Sequence, residues 1–307
     1  MNPLAWALWL AALVAVLFPE HLPRPLVLLA TAYVILLPLV DLVRPYGKRP
    51  PAELEDVRLA PKDGRGLLWV TVLLSLLNPF TWAFSLGQIL GQVAILVRYR
   101  RRPPKLEDFA REKPARMPFL GTWLVANGGP DPATSHSWGL LSQRYAYDFL
   151  VLDEKRRSFR NEGRRIHDYY AFGQPVLAPE RGIVVQAQNR HHDWPIPQSF
   201  DPLAWNPLGN YVLIKLDDDR YALAAHLKKG SVRVRPGDRV EKGQEIGQVG
   251  NSGRSTQPHL HFQFLDRPSI IWGMALPLPF GPYRVRGKEP CLASRLPRRG
   301  EEVNPGC

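Results

Sequence analysis

Long apolar runs near the amino terminus constrain this chain more than any other feature. Three nearly uncharged stretches lie within the first 97 residues: Leu4–Phe18, Leu26–Val40 and Leu67–Val97. A helix needs about 20 apolar residues to cross a bilayer. The third run exceeds that length, and the first two reach it with their flanks. The sequence therefore predicts a membrane region over residues 1–97 with about three transmembrane helices.

The first and third runs each leave an alternative open. The first run lacks the basic start and the small-residue cleavage site of a signal peptide, so a retained membrane helix is favoured. Asn78 and Pro79 interrupt the third run, and proline removes an interior helical hydrogen bond. This run could form one kinked crossing helix or a re-entrant hairpin. One crossing is preferred, because each half is too short to span the bilayer alone.

Basic residues follow both the second and the third run. The loop after the second run contains Arg44, Lys48, Arg49, Arg58, Lys62 and Arg65. Its charge predicts a cytoplasmic position, but the basic, proline-rich linker over residues 98–116 favours the same side. The distribution of positive charge therefore leaves the membrane topology open.

The whole chain carries a positive charge and few cysteines. It has 40 Lys and Arg against 28 Asp and Glu, a net charge of +12, which favours phospholipid headgroups or acidic cell-wall polymers. We expect no nucleic-acid partner, because neither an aromatic RNA-binding signature nor a zinc-finger spacing occurs. Cys291 and Cys307 fit no metal-finger pattern and could form a disulfide or remain free thiols.

Residues 117–285 have the pattern of a β-rich domain. Short runs such as "GIVVQAQ", "NYVLIKL" and "YALAAHL" alternate with Gly, Pro, Asn and Asp, and no long stretch keeps a helical period. We predict an all-β, antiparallel sheet or sandwich domain, followed by a tail over residues 286–307. The turns of Arg235–Gly253 also occur in biotinyl and lipoyl carrier domains, but the modifiable lysine motif of those domains is missing.

The segment "STQPHLHFQF" places two histidines on one face of a strand, because residues i and i+2 point the same way. His259 and His261 alone are equally compatible with two packed imidazoles. The longer segment "YALAAHLKKGSVRVRPGDRVEKGQEIGQVGNSGRSTQPHLHFQF" resembles the signature half of the lysostaphin/LytM-type zinc peptidases, which cleave peptides of the bacterial cell wall. The resemblance covers roughly Asp148 to Phe264 and implies a LytM-like duplicated hybrid motif fold.

The resemblance implies roles for four residues. His261, the second histidine of the HxH motif, corresponds to a zinc ligand, and Asp148 in "RYAYDF" corresponds to the aspartate ligand. His226 in "AAHLKK" and His259 correspond to catalytic imidazoles beside the metal.

One position departs from the family pattern. The usual zinc-binding histidine lies four residues before the aspartate, where this chain has Arg144, and a guanidinium offers no lone pair. Either the metal site is broken or another histidine completes it. His136 lies 148−136 = 12 residues before Asp148 and would come alongside it if the chain folds back about Gly139–Gln143. The segment also looks like a branch of the family whose histidine is displaced upstream. We therefore predict His136, Asp148 and His261 as the Zn²⁺ ligands.

These features predict a membrane-anchored zinc metalloendopeptidase that hydrolyses peptide bonds of peptidoglycan through a zinc-activated water. The catalytic domain would face the extracytoplasmic side of the cell membrane. Because no HExxH motif occurs, His226 and His259 would share the proton transfers. The alternative, which Arg144 favours, is a catalytically degenerate module that binds the wall or regulates other wall hydrolases. The sequence indicates neither the peptide bond cleaved nor the oligomeric state.

Overall fold

The computed structural model describes residues 23–24, 26–27, 54–59, 65–109 and 111–307. The first predicted membrane helix and nearly all of the second lie outside the described residues. The chain divides into two compact units, Met1–Pro51 and Ala52–Cys307. The described residues from Leu54 onward belong to the second unit.

The third apolar run forms two helices, α1 (Arg65–Ser75) and α2 (Pro79–Arg98). Asn78 caps α2, because its side-chain oxygen accepts a hydrogen bond from the backbone N–H of Phe80 at 3.0 Å. Pro79 occupies the first helical position, where the missing N–H costs nothing. The Asn-Pro pair therefore starts a new helix. Among the described helices, α2 is the one long and apolar enough to cross a membrane, by length and composition only.

The rest of the described chain is built from thirteen strands whose pairings are all antiparallel. They are β1 (Trp123–Asn127), β2 (Tyr147–Leu150), β3 (Pro175–Leu177), β4 (Gly182–Gln188), β5 (Asn210–Leu216), β6 (Tyr221–Leu227), β7 (Arg239–Val240), β8 (Glu245–Gln248), β9 (Leu260–Leu265), β10 (Ala275–Leu276), β11 (Tyr283–Val285), β12 (Lys288–Leu292) and β13 (Glu302–Asn304). The main sheet has the order β12-β11-β13-β1-β2-β9-β6-β5-β4-β7, with β10 beside β9, and β3 pairs with β8 in a second sheet. The predicted all-β, antiparallel fold is confirmed.

The carboxyl-terminal segment belongs to the main sheet. Within residues 286–307, β12 pairs with β11, and β13 lies between β1 and β11. Cys291 and Cys307, whose pairing the sequence left open, form a disulfide. It joins β12 to the residues after β13, so this segment is part of the folded domain.

Alternation along β2 and β9 separates an aromatic layer from the histidine face. The buried aromatic residues of these strands are Tyr147, Phe149, Phe262 and Phe264. Each lies with its ring centroid 5.5–6.5 Å from that of Phe280, which is fully buried. Asp148 and His261 point to the opposite face, because successive side chains of a strand alternate. The aromatic layer thus supports the strands that carry the candidate site.

Candidate active site

Three neighbouring strands bring most of the predicted site residues together. In the pairing of β2 with β9, Asp148 lies directly opposite His261. In the pairing of β9 with β6, His261 lies opposite Ala225, the residue before His226. His259 immediately precedes β9. Residues from distant parts of the chain therefore meet on one face of the sheet.

The carboxylate of Asp148 is the centre of this group. Its Oδ1 atom lies 2.9 Å from Nδ1 of His261 and 3.5 Å from Nε2 of His259. Desolvation raises the pKa of Asp148, but the hydrogen bonds and charges of His259 and His261 outweigh it and hold the pKa well below 3.8. The carboxylate is therefore ionised at neutral pH, as a metal ligand must be.

His226 and His259 are oriented in the same way. Nδ1 of His226 donates to the carbonyl oxygen of Ser252 at 2.9 Å, and Nδ1 of His259 donates to that of Gln257 at 2.8 Å. A carbonyl only accepts, so Nδ1 carries a proton in both rings. Nε2 of a neutral His226 therefore presents a lone pair to the site, whereas Nε2 of His259 faces Oδ1 of Asp148. The two ring centroids are 4.9 Å apart.

The surroundings of these two imidazoles move their pKa values in opposite directions. Desolvation, reinforced by the neighbouring imidazoles, holds the pKa of His226 well below 6.5. Desolvation also acts to lower the pKa of His259, but the hydrogen bond and charge of Asp148 outweigh it, and the pKa of His259 is raised. The two imidazoles therefore differ in proton affinity, with His259 the more basic of the pair.

His226 occupies an unusual backbone conformation. Its φ is 60°, in the left-handed region that few non-glycine residues adopt. The register of β5 and β6 shifts at the facing residues Asn210 and Tyr211. Gly209, which also has a positive φ, lies against this turn, and a Cβ there would lie 2.3 Å from the carbonyl carbon of Ser252. Ser252 is the residue whose oxygen orients His226, so the backbone is shaped around this imidazole.

The ring of His261 is held by a buried chain of hydrogen bonds. Its Nε2 lies 3.3 Å from Oε1 of Gln263, and Nε2 of Gln263 donates to the carbonyl oxygen of Ser142 at 3.1 Å. The hydroxyl of Ser142 donates to Oε1 of Gln88 on α2 at 2.9 Å. Without a metal, Nδ1 of His261 contacts Asp148. With a metal bound at Nδ1, the proton of the ring would lie on Nε2, towards Gln263. Gln263 is not among the residues predicted from the sequence, although its i+2 spacing from His261 on one strand could have revealed it.

The loop between β1 and β2 carries His136. The backbone N–H of His136 donates to Oδ1 of Asn127 at 2.8 Å, and Nδ2 of Asn127 donates to Oδ2 of Asp148 at 3.2 Å. His136 is exposed on one side. The protein around the rest of its ring lowers the pKa of His136 through desolvation, and the charge of Asp148 opposes this shift. Asn127, which sequence reasoning also missed, therefore attaches the His136 backbone beside Asp148.

Arg144, at the position of the usual family ligand, binds within its own loop. Its Nε donates to the carbonyl oxygen of Trp138 at 3.0 Å, and its guanidinium lies 5.0 Å from the centroid of that ring. The backbone carbonyl oxygen of Arg144 accepts a hydrogen bond from the hydroxyl of Ser135 at 2.9 Å. These contacts close the chain around the 3₁₀ turn Leu141–Gln143. The two arms of the loop therefore meet through side chains, without forming a strand ladder.

The donor set suits a zinc ion. Among the described residues, ring nitrogens of His226, His259 and His261 lie within 4.8 Å of one another, and Oδ1 of Asp148 contacts two of these rings. Imidazole nitrogens with one carboxylate oxygen are typical Zn²⁺ ligands. His136 lies outside this nitrogen group. Two ligand sets therefore compete: the predicted His136, Asp148 and His261, and the three clustered histidines.

Part of this site lies in a segment that is similar to known proteins. Residues 164–269 match the profile of Peptidase family M23. The peptidoglycan DD-endopeptidase ShyA of Vibrio cholerae is 34% identical over 107 residues, which cover 35% of this chain and 21% of ShyA. Lysostaphin of Staphylococcus staphylolyticus is 36% identical over 132 residues, covering 43% of this chain and 24% of lysostaphin. The chain thus spans about a fifth to a quarter of the length of these relatives.

A solved structure is similar over a larger share of its own length. The catalytic domain of the prophage-encoded M23 protein EnpA from Enterococcus faecalis is 22% identical, with a TM-score of 0.32, over 52% of this chain and 92% of that one. The segment that matches the family profile contains His226, His259 and His261 but begins after His136 and Asp148.

Proposed function

We propose that this chain, which belongs to peptidase family M23 through its residues 164–269, is a membrane-anchored zinc endopeptidase that hydrolyses peptide bonds of bacterial peptidoglycan. One observation carries the proposal: His259 and His261 both contact Oδ1 of Asp148. The ring of His226 lies beside that of His261. The names of the relatives, peptidoglycan endopeptidase and lysostaphin, support the substrate class.

In this proposal His136, Asp148 and His261 hold the metal. Bound Zn²⁺ supplies Lewis acidity, which polarises the scissile carbonyl and makes water a nucleophile at neutral pH. His226, the neutral imidazole, accepts the proton of the attacking water through Nε2. His259, whose pKa is raised, donates a proton to the departing amine.

We further propose that residues 1–97 hold the protein at the cell membrane and that the β domain faces the extracytoplasmic side. A wall peptidase must reach its substrate on that side. The Cys291–Cys307 disulfide supports this side too, because disulfides persist in oxidising compartments.

The degenerate, non-catalytic module remains the second candidate, because Arg144 occupies the usual ligand position and binds to Trp138. Zinc content distinguishes the two functions. The full chain, purified in detergent, is compared with His136→Ala and with a control, His167→Ala. His167 is exposed and contacts the ring of Phe172 edge to face. We expect the wild type and the control to hold a single tightly bound zinc, and His136→Ala to lose it.

Other outcomes are equally informative. Zinc retained in His136→Ala would favour the three clustered histidines as ligands, which His226→Ala would then test. If no variant binds zinc even after supplementation, and purified peptidoglycan is not cleaved, the enzyme proposal is refuted and the regulatory module is left.

A further inference from the structure

The chain on both sides of the third apolar run folds into one β domain. Before the run, the segment Leu54–Leu59 packs its first residue, 3% exposed, against Leu124 and Leu150. The backbone N–H of Ser158 donates to the carbonyl oxygen of Arg58 at 3.0 Å. After the run, the chain continues into β1 of the same domain. A segment whose two ends join one water-soluble domain must begin and end on the same side of a bilayer. A single crossing by this run is therefore incompatible with the fold.

Helix α2 is also attached to the domain along its whole length. Asn78 at its start and Gln92 in its middle donate to domain carbonyls at 3.1 and 2.8 Å. At its end, the guanidinium of Arg98 lies 3.0 Å from the carboxylate of Asp266. A helix of this length extends about 30 Å, roughly the thickness of the hydrocarbon core. A perpendicular α2 would carry its attached loops into hydrocarbon, where each ionised side chain costs about 2.5–3.5 kcal/mol.

The two faces of α2 are reversed relative to a helix on a water-soluble surface, which is polar outside and apolar inside. Its buried residues are Gln88, Gly91, Gln92 and Ile95. Gly91 allows the close approach, because a Cβ there would lie 2.0 Å from the carbonyl oxygen of Ile271. The outer face is apolar, with exposed fractions of 42–71% for Trp82, Leu86, Leu90, Val93 and Val97. A continuous apolar stripe of this kind requires an apolar partner.

The carboxyl-terminal end of α2 indicates the chemistry of that partner. A groove there is lined by Val93, Leu96, Val97, Arg100 and Arg101. Both arginines are exposed and have φ values of 48° and 61°, which non-glycine residues rarely adopt. Apolar walls beside two guanidinium groups match the acyl chain and phosphate of an anionic phospholipid.

We propose that α2 lies in the plane of an anionic phospholipid bilayer, with its outer face at the boundary between headgroups and acyl chains, and does not cross it. Helices of this kind immerse their apolar face by about 5–10 Å. The single crossing that hydropathy favours and this in-plane position have the same sequence length and composition. The fold of the flanking segments distinguishes them. This inference concerns the membrane contact and does not depend on zinc or on peptidase activity.

Depth measurements along α2 test the proposal in the full chain. With the native disulfide formed, single cysteines replace Trp82, Leu86, Leu90, Val93 or Val97, are spin-labelled, and are reconstituted into vesicles of phosphatidylcholine and phosphatidylglycerol. Accessibility to oxygen and to a water-soluble nickel chelate then gives the depth of each label. Ile183, a 41% exposed residue of β4, provides the water-facing control.

We expect the same shallow immersion at all five positions and an aqueous signal at Ile183. A crossing helix would instead spread the labels over about 22 Å, from 97−82 = 15 residues at about 1.5 Å each, with the centre deepest. That profile, or five labels in water, would overturn the proposal. Arg100→Gln with Arg101→Gln should bring the label at Val97 closer to water in the anionic vesicles, and an unchanged depth would refute the headgroup contact.

Discussion

The backbone of His226 offers the sharpest test of how the fold serves the site. A non-glycine residue in the left-handed region costs about 1–2 kcal/mol, and His226 has a φ of 60°. Its neighbours hold this conformation: its N–H donates to the carbonyl oxygen of Leu208 and its own carbonyl accepts from Gly250, both at 3.0 Å. We infer that the chain tolerates this strain because the conformation directs the imidazole towards His259.

Replacing His226 by Ala and by Gly separates the strain from the chemistry. Both variants lose the imidazole, so both should be inactive. Both also leave the carbonyl of Ser252 without its donor, so they share the same loss of stability from that hydrogen bond. The glycine variant is additionally relieved of about 1–2 kcal/mol, offset by about 0.5–1 kcal/mol from the greater freedom of glycine in the unfolded chain. We therefore expect His226→Gly to be more stable than His226→Ala by about 1 kcal/mol.

Thermal unfolding in one detergent, followed by near-ultraviolet circular dichroism, measures the difference. For a domain of this size, 1 kcal/mol corresponds to about 2–4 °C in Tm. Lys215, a partly exposed residue of β5 without a positive φ, provides the control. There the order should reverse, because glycine in a strand is less stable than alanine by about 0.5–1 kcal/mol. An alanine variant at position 226 as stable as the glycine variant would refute the argument.

Three further changes test other parts of the structure. Gln263→Leu should weaken zinc binding by about 10–100-fold in chelator competition, because the ring of His261 loses its acceptor; Gln263→Glu should restore most of it, and equal binding by both variants would remove the positioning role. Replacing Cys291 and Cys307 by serine opens a loop with a sequence separation of 16 and should lower the free energy of unfolding by about 3 kcal/mol in thermal denaturation; an unchanged Tm would contradict this. Desolvation raises the pKa of Glu301, but Arg295 outweighs it, so the folded-state pKa lies below 4.5. The stabilisation is therefore complete above pH 4.5 and lost as the pH falls through the folded-state value; a Tm difference between wild type and Glu301→Gln that persists in stronger acid would refute it.

The β domain and most of the candidate site could be predicted because local rules control them. Alternation places His259 and His261 together, and the family resemblance adds His226 and Asp148. The strands of residues 286–307 could not be predicted, since β13 pairs with the distant β1. Length and hydropathy likewise describe α2 but not its neighbours, so they could not predict that it packs against the β domain. The role of Gln263 depends on Ser142 and Gln88, whose proximity only the tertiary fold creates.

The contacts of α2 also decide where this protein can be cut for expression. Hydropathy suggests starting a soluble fragment at Met117, after the third apolar run and the basic linker. Such a fragment would lack Gln88, which accepts from the Ser142 hydroxyl, and Gln92, which accepts from the backbone N–H of Leu141 at 2.8 Å. Ser142 is two hydrogen bonds from the ring of His261. A fragment truncated in this way would therefore be altered at the candidate site, and a negative assay with it would say little about the intact chain.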